Sequence, residues 1–227
     1  MQASKDRVNL KIKDSLELET ERVFEAIQEL DWFETHGYKI NLPKKLKSLK
    51  DSSVLPDKEA VKNIVTSEYK KDEYKKIKIK IEKKWTEISE DLCAGLRRAG
   101  FMPSKLYFLT LTKYGTGGSY HWPDKITLNF RKKSVRELMP IIAHEIIHLL
   151  VQSMIEKYQI QHWQKEHVVD LILARVSPSN GIMQELPIKT KEIDKIFNEF
   201  FPDIDMVLRG VGGVQKKLPE VKKRGWL

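Results

Sequence analysis

The sequence predicts an α+β fold, mostly helical, with a small, mainly antiparallel sheet packed on one strongly apolar helix. Three observations carry this. Apolar residues recur at helical spacing through several long stretches, strands are read only within residues 105–130, and a capped aliphatic helix follows immediately.

In chain order, Leu16, Val23, Phe24, Ile27, Leu30 and Phe33 predict one helix over 15–36, ending near Gly37. Residues 39–58, rich in Pro, Ser and Lys, read as a loop or linker. Ile77, Ile81, Trp85, Ile88, Leu92 and Leu96 then step by 4, 4, 3, 4 and 4 along one helical face that ends at Gly100. The embedded KIKIKI alternates like a strand, but the longer register outweighs it, leaving only Ile79 off the stripe.

The stretch KLYFLTLTKY (105–114) and, beyond a turn at Gly115, Gly117 and Gly118, the stretch KITLNF (125–130) read as strands. SYHW and a second turn at Pro123-Asp124 lie between them, so a small antiparallel sheet is expected. Ser134 with Glu137 three residues later is a capping-box pattern opening the next helix. Pro140 inside it argues for a kink or a start nearer 138. Further helices are expected over 162–176 and 191–201, followed by a Gly-rich, basic and peripheral tail. The domain organisation expected is a helical extension and linker (1–60), a main domain (61–205) and a tail (206–227).

The 227 residues carry 41 basic and 32 acidic side chains, a formal charge of +9. Such an excess permits weak attraction to nucleic acid, yet it is spread along the chain and specifies no partner. Residues 70–84 hold eight Lys against three acids and read as the solvated face of a helix, while RKKS at 131–134 and KKRGW at 222–226 read as plain surface, with nucleic-acid contact the alternative. No apolar run is expected to approach the roughly 18 residues of a membrane span, and the polar N-terminus lacks an apolar signal core. A cytoplasmic location without membrane contact is expected. The single Cys93 excludes an internal disulfide and a cysteine-based metal site, leaving His, Asp and Glu as ligands.

The stretch IIAHEIIHLL (141–150) sets two histidines and a glutamate in an otherwise aliphatic run. Burying such groups is costly unless they are paired or bind a metal. Four residues apart on a helix, His144 and His148 lie on one face and can aim at one ion, the first two ligands of a tetrahedral site. Glu145 points about 100° away, close to the ion without being in line with it, where it can take a proton from water. The third ligand must come from downstream. Glu166 and Asp170 are four apart on one helical face, so that one can ligate while the other accepts the N–H of a ligating histidine. His167, about 100° off Glu166, and His162 are the alternatives.

His144-Glu145-x-x-His148 with Glu166 18 residues on, and Asp170 one turn later, resembles the gluzincins, the thermolysin-like branch of the zincin metallopeptidases. The resemblance covers about residues 105–176, where GGSYHWPDKITLNF looks like the edge-strand region of minimal zincin domains. It implies a zincin-like fold, Zn2+ held by His144, His148 and Glu166, Glu145 as general base, Asp170 behind a histidine, and a substrate peptide added along an edge strand. Such enzymes use a Tyr or His to stabilise the oxyanion; Tyr158 lies at a similar place, and His121 is its rival. The implied activity is that of a zinc metalloendopeptidase acting on a protein or peptide. The alternative is a regulatory or nucleic-acid-binding protein on the same scaffold, its metal site non-catalytic.

Overall fold

A computed structural model describes residues 7–46, 56–181 and 183–214. The final basic stretch and part of the 39–58 segment lie outside them.

The chain begins with strand β1 (Asn9–Lys13), then α1 (Leu16–Gln28) and α2 (Leu30–Thr35). The single helix expected over 15–36 is therefore two, parted at Glu29, and Gly37 at φ 71° follows the second. The end of the expected linker opens α3 (Lys58–Glu68), capped by the Asp57 carboxylate. The long helix α4 (Lys71–Arg98) follows. It buries Ile81, Trp85, Leu92 and Leu96 as its spacing requires and leaves Ile79 57% exposed.

Strands β2 (Leu106–Thr112), β3 (Gly118–His121) and β4 (Lys125–Asn129) complete a four-stranded sheet in the order β1-β2-β4-β3. The expectation of a mainly antiparallel sheet is corrected here. β1–β2 and β2–β4 pair in parallel, and only β3–β4 is antiparallel, so the sheet is mixed. The reason lies in the glycine-containing connection. After β2 the chain crosses to the far edge before β3 begins, anchored by Asn129 N–H donating to the Gly117 carbonyl at 3.0 Å. The turn at Trp122-Pro123-Asp124 then returns β4 between β3 and β2. β1 gives little signal in the sequence because it is short and alternates apolar with Lys. Lys11 and Lys13 lie over the Phe108 ring while Ile12 is buried.

Helix α5 (Val135–Lys157) opens on the predicted capping box and continues through Pro140. α6 (His162–Val176), α7 (Lys191–Phe200) and α8 (Ile204–Val214) follow. The tail expected from 206 is therefore helical through Val214, and Val207, Leu208, Val211 and Val214 are buried. Two of its three glycines sit at close contacts. A Cβ on Gly212 would come within 2.8 Å of the Tyr158 carbonyl oxygen, and one on Gly210 within 2.8 Å of Ile196.

One core gathers Val8 and Ile12 of the N-terminal segment with the sheet and α4–α8. A second, smaller core joins Val23, Ala26 and Ile27 to Leu42, Leu46, Val61, Val65 and Tyr114. The boundary expected at 60/61 falls inside α3, whose Val61 and Val65 belong to this smaller core. α5 is the one helix among the described residues long and apolar enough to cross a membrane, contrary to the expectation that no run approaches that length, and most of its apolar stretch is buried inside the protein. Its apolarity is explained by neighbours on all sides: α4, α6, α8, β3 and β4.

Candidate metal centre

Helix α5 delivers His144 and His148 on one face, and α6 delivers Glu166 against them. The distances are 2.9 Å between the two Nε2 atoms, 3.2 Å from His144 Nε2 to Glu166 Oε2 and 3.3 Å from His148 Nε2 to the same oxygen. A tetrahedral ion with bonds of about 2.0–2.1 Å spaces its ligand atoms about 3.3 Å apart. The triangle thus has the size and donor set to hold a metal ion, and it is the one such buried group among the described residues.

Asp170 lies one turn beyond Glu166, fully buried, with Oδ1 3.0 Å from His144 Nδ1. Its other oxygen accepts the Gln184 backbone N–H at 2.8 Å. The carboxylate is thereby fixed, and it fixes the imidazole so that Nε2 faces the cluster. His148 is held differently. Its Nδ1 is buried without a hydrogen-bond partner, and the Tyr120 ring stacks on it with centroids 4.6 Å apart and planes 12° apart.

Charges in the cluster follow from these contacts. Burial works against the His144 cation, but the Asp170 and Glu166 carboxylates outweigh it and raise its pKa to about 10. Burial lowers His148 to about 4, so it stays neutral. Burial would raise Glu166, yet its bonds to His144 and His148 carry it well below the carboxylate range. Two of the three candidate ligands are thus favoured in the deprotonated form that metals require. Glu145 is 6% exposed and is not one of the converging three. Burial pushes its carboxyl up to about 7, against the opposing charge of His144. It faces the edge strand: a Cβ on Gly118 would lie 2.4 Å from Glu145 Oε1. A glycine is needed there for the acid to sit between helix and strand.

The other candidates that the sequence offers fall elsewhere. His167 points to α7, its Nε2 2.6 Å from Asp194 Oδ1. His162 is near but outside the triangle, Nδ1 4.0 Å from Glu166 Oε1 and Nε2 2.7 Å from the Tyr38 hydroxyl. Tyr158 caps the end of α5 and donates to Asp205 at 2.8 Å, away from the ligands. His121 is exposed at the end of β3.

Four residues near the cluster carry no motif in the sequence. Tyr120 stacks on His148 and donates to Gln152 Oε1 at 2.8 Å. Period-two alternation is the signal that could find it, since Gly118 and Tyr120 share the strand face turned to α5 and His121 does not. Lys165 places its Nζ 3.3 Å from Glu166 Oε1 and 3.3 Å from the Tyr120 hydroxyl. Tyr38, from the segment after α2, stacks on Trp163; burial, with Glu166 and Glu145 nearby, raises its pKa and keeps it a neutral phenol. Arg22 of α1 is buried against Gly115 with its Nε unpartnered, and its charge acts on Glu145. Contacts of Arg22 and Tyr38 with the cluster cross more than a hundred residues of chain, and no local pattern announces them. No protein family, characterised protein or solved structure matches the chain.

Proposed function

We propose that the protein is a zinc-dependent peptide hydrolase of gluzincin type, built on a zincin-like scaffold. The observation that carries this reading is the convergence of His144 Nε2, His148 Nε2 and Glu166 Oε2, with a further buried carboxylate, Glu145, left out of the triangle and turned to the edge strand. A purely structural metal site closes its fourth position with protein and has no use for an unligated buried acid beside it. Zinc, chosen for its preference for two imidazoles and a carboxylate, supplies electrophilic activation of a carbonyl and of water when bound.

The chain's own residues do the rest. Glu145 takes the proton of the attacking water as its oxygen bonds to the carbonyl carbon, and returns it to the departing amine nitrogen as the C–N bond breaks. Asp170 keeps His144 in the ligating tautomer. β3, an edge strand, lies beside α5, where a peptide would dock as an added strand.

The test compares peptide-library digestion by wild type and by Glu145→Gln, each with its metal content measured. Cleavage by the wild type alone, at equal metal content, supports hydrolysis. Equal cleavage patterns would overturn the role of Glu145.

A further inference from the structure

The two oxygens of Glu166 have different surroundings. Oε2 faces both histidine Nε2 atoms at 3.2 and 3.3 Å, while Oε1 is turned away from them to Lys165 Nζ at 3.3 Å and His162 Nδ1 at 4.0 Å. Lys165 neighbours Glu166 on α6 and reaches back toward it because its head is held from the other side. Its Nζ donates to the Tyr120 hydroxyl at 3.3 Å and lies 5.3 Å from that ring's centroid. The lysine side chain is only 16% exposed. A largely buried ammonium requires partners, and its partners are one oxygen of a ligand and the residue stacked on another ligand.

A carboxylate can bind a metal through one oxygen or through both. Two-oxygen binding adds a fifth donor beside the water or substrate that a catalytic ion holds in its open place, and crowds that place. We propose that Lys165, pinned by Tyr120, is a positioning residue that engages Glu166 Oε1 and so confines Glu166 to one-oxygen ligation through Oε2, keeping the ion four-coordinate with one place open. This rests on the metal reading of His144, His148 and Glu166. It adds that the ligand's mode of binding is set from outside the triangle, by a cation on its own helix and a phenol on the edge strand. The same phenol stacks on His148, so one residue of β3 constrains ligands on both helices.

The test loads the full chain with Co2+ and reads its visible absorption, which is intense for four-coordinate and weaker for five-coordinate ions. Wild type and Lys165→Arg, which keeps a cation beside Oε1, are expected to bind one equivalent with the intense spectrum. Lys165→Met is expected to bind one equivalent with severalfold weaker absorption, as Glu166 turns both oxygens to the ion. Tyr120→Phe, which keeps the ring on His148 but frees the lysine head, is expected to move the spectrum in the same direction by a smaller step. A wild-type spectrum from both Lys165→Met and Tyr120→Phe overturns the proposal while leaving the metal centre intact. Failure of the wild type to bind Co2+ overturns the metal reading itself, and the proposal with it.

Discussion

At the scale of single residues, the cluster separates groups that could hold an ion from a group that would act beside it. Replacing Glu145 by Gln preserves shape and the three ligands, so metal content should stay at the wild-type level while peptide hydrolysis falls about 100- to 10,000-fold, the usual worth of a general base. Removing Asp170 as Ala leaves the triangle in place but unorients His144. Metal affinity should then drop about 10- to 100-fold, measured by competition with a chelator. Glu166→Ala should empty the site, whereas His167→Ala should disturb the α6–α7 contact through Asp194 and leave metal content unchanged. Much of this is legible in the sequence. His144, Glu145, His148, Glu166 and Asp170 obey helical spacings of one and four, and the structure brings their side chains together as those spacings require. The place of Tyr158 is not legible, because nothing in its neighbourhood announces that Asp205 of α8 takes its hydroxyl. Lys165, Tyr120 and Tyr38 are hidden for a related reason: their roles arise from contacts between segments distant in sequence.

At the scale of elements, helical periodicity is the dependable signal, and it fails where an element is short or its glycines have a packing role. α4 and α6 follow their apolar stripes, and α5 begins at its capping box. β1 is masked by its lysines, α3 by the loop-like residues before it, and α8 by glycines that imitate a flexible tail while fitting against Tyr158 and Ile196. In the sheet, adjacency in sequence is a poor guide to adjacency in space, since β4 enters between β2 and β3. Close approach makes one glycine decisive for the scaffold. A Cβ on Gly95 would sit 2.0 Å from the backbone oxygen of Val176, where α4 crosses the end of α6. Gly95→Ala should therefore lower stability by about 1–3 kcal/mol or more, read from denaturant unfolding, since neither helix backbone can yield without disturbing the core. Gly118→Ala is its counterpart at the site. The new methyl would meet Glu145 Oε1 and Ile141, so hydrolysis should fall while metal content is retained.

At the scale of the whole molecule, a small core leans on a larger one, and residues from several elements approach the candidate metal cluster. Arg22 comes from α1, Tyr38 from just after α2, Tyr120 from the sheet edge, and the ligands from α5 and α6. Between the two cores Glu19 is buried, receiving the Tyr74 and Thr112 hydroxyls and the Lys113 backbone N–H. Burial raises its pKa in spite of those three donors. Tyr74→Phe removes one donor from a buried carboxyl and should cost about 1.5–3 kcal/mol in thermal or denaturant unfolding, with metal content unaffected. The sequence does not disclose this join, since residues 19, 74 and 112 belong to three separate elements and each looks ordinary in its own. The N-terminal residues expected to be an extension instead supply a strand of the sheet and two residues beside the cluster. All of these elements bear on one claim, that two helices present His144, His148 and Glu166 to a single ion. Elemental analysis of the full chain purified at neutral pH, beside Glu166→Ala, tests it most directly. One zinc per chain in the wild type and almost none in the variant is the predicted result, and a metal-free wild type, or equal zinc in both, would contradict it.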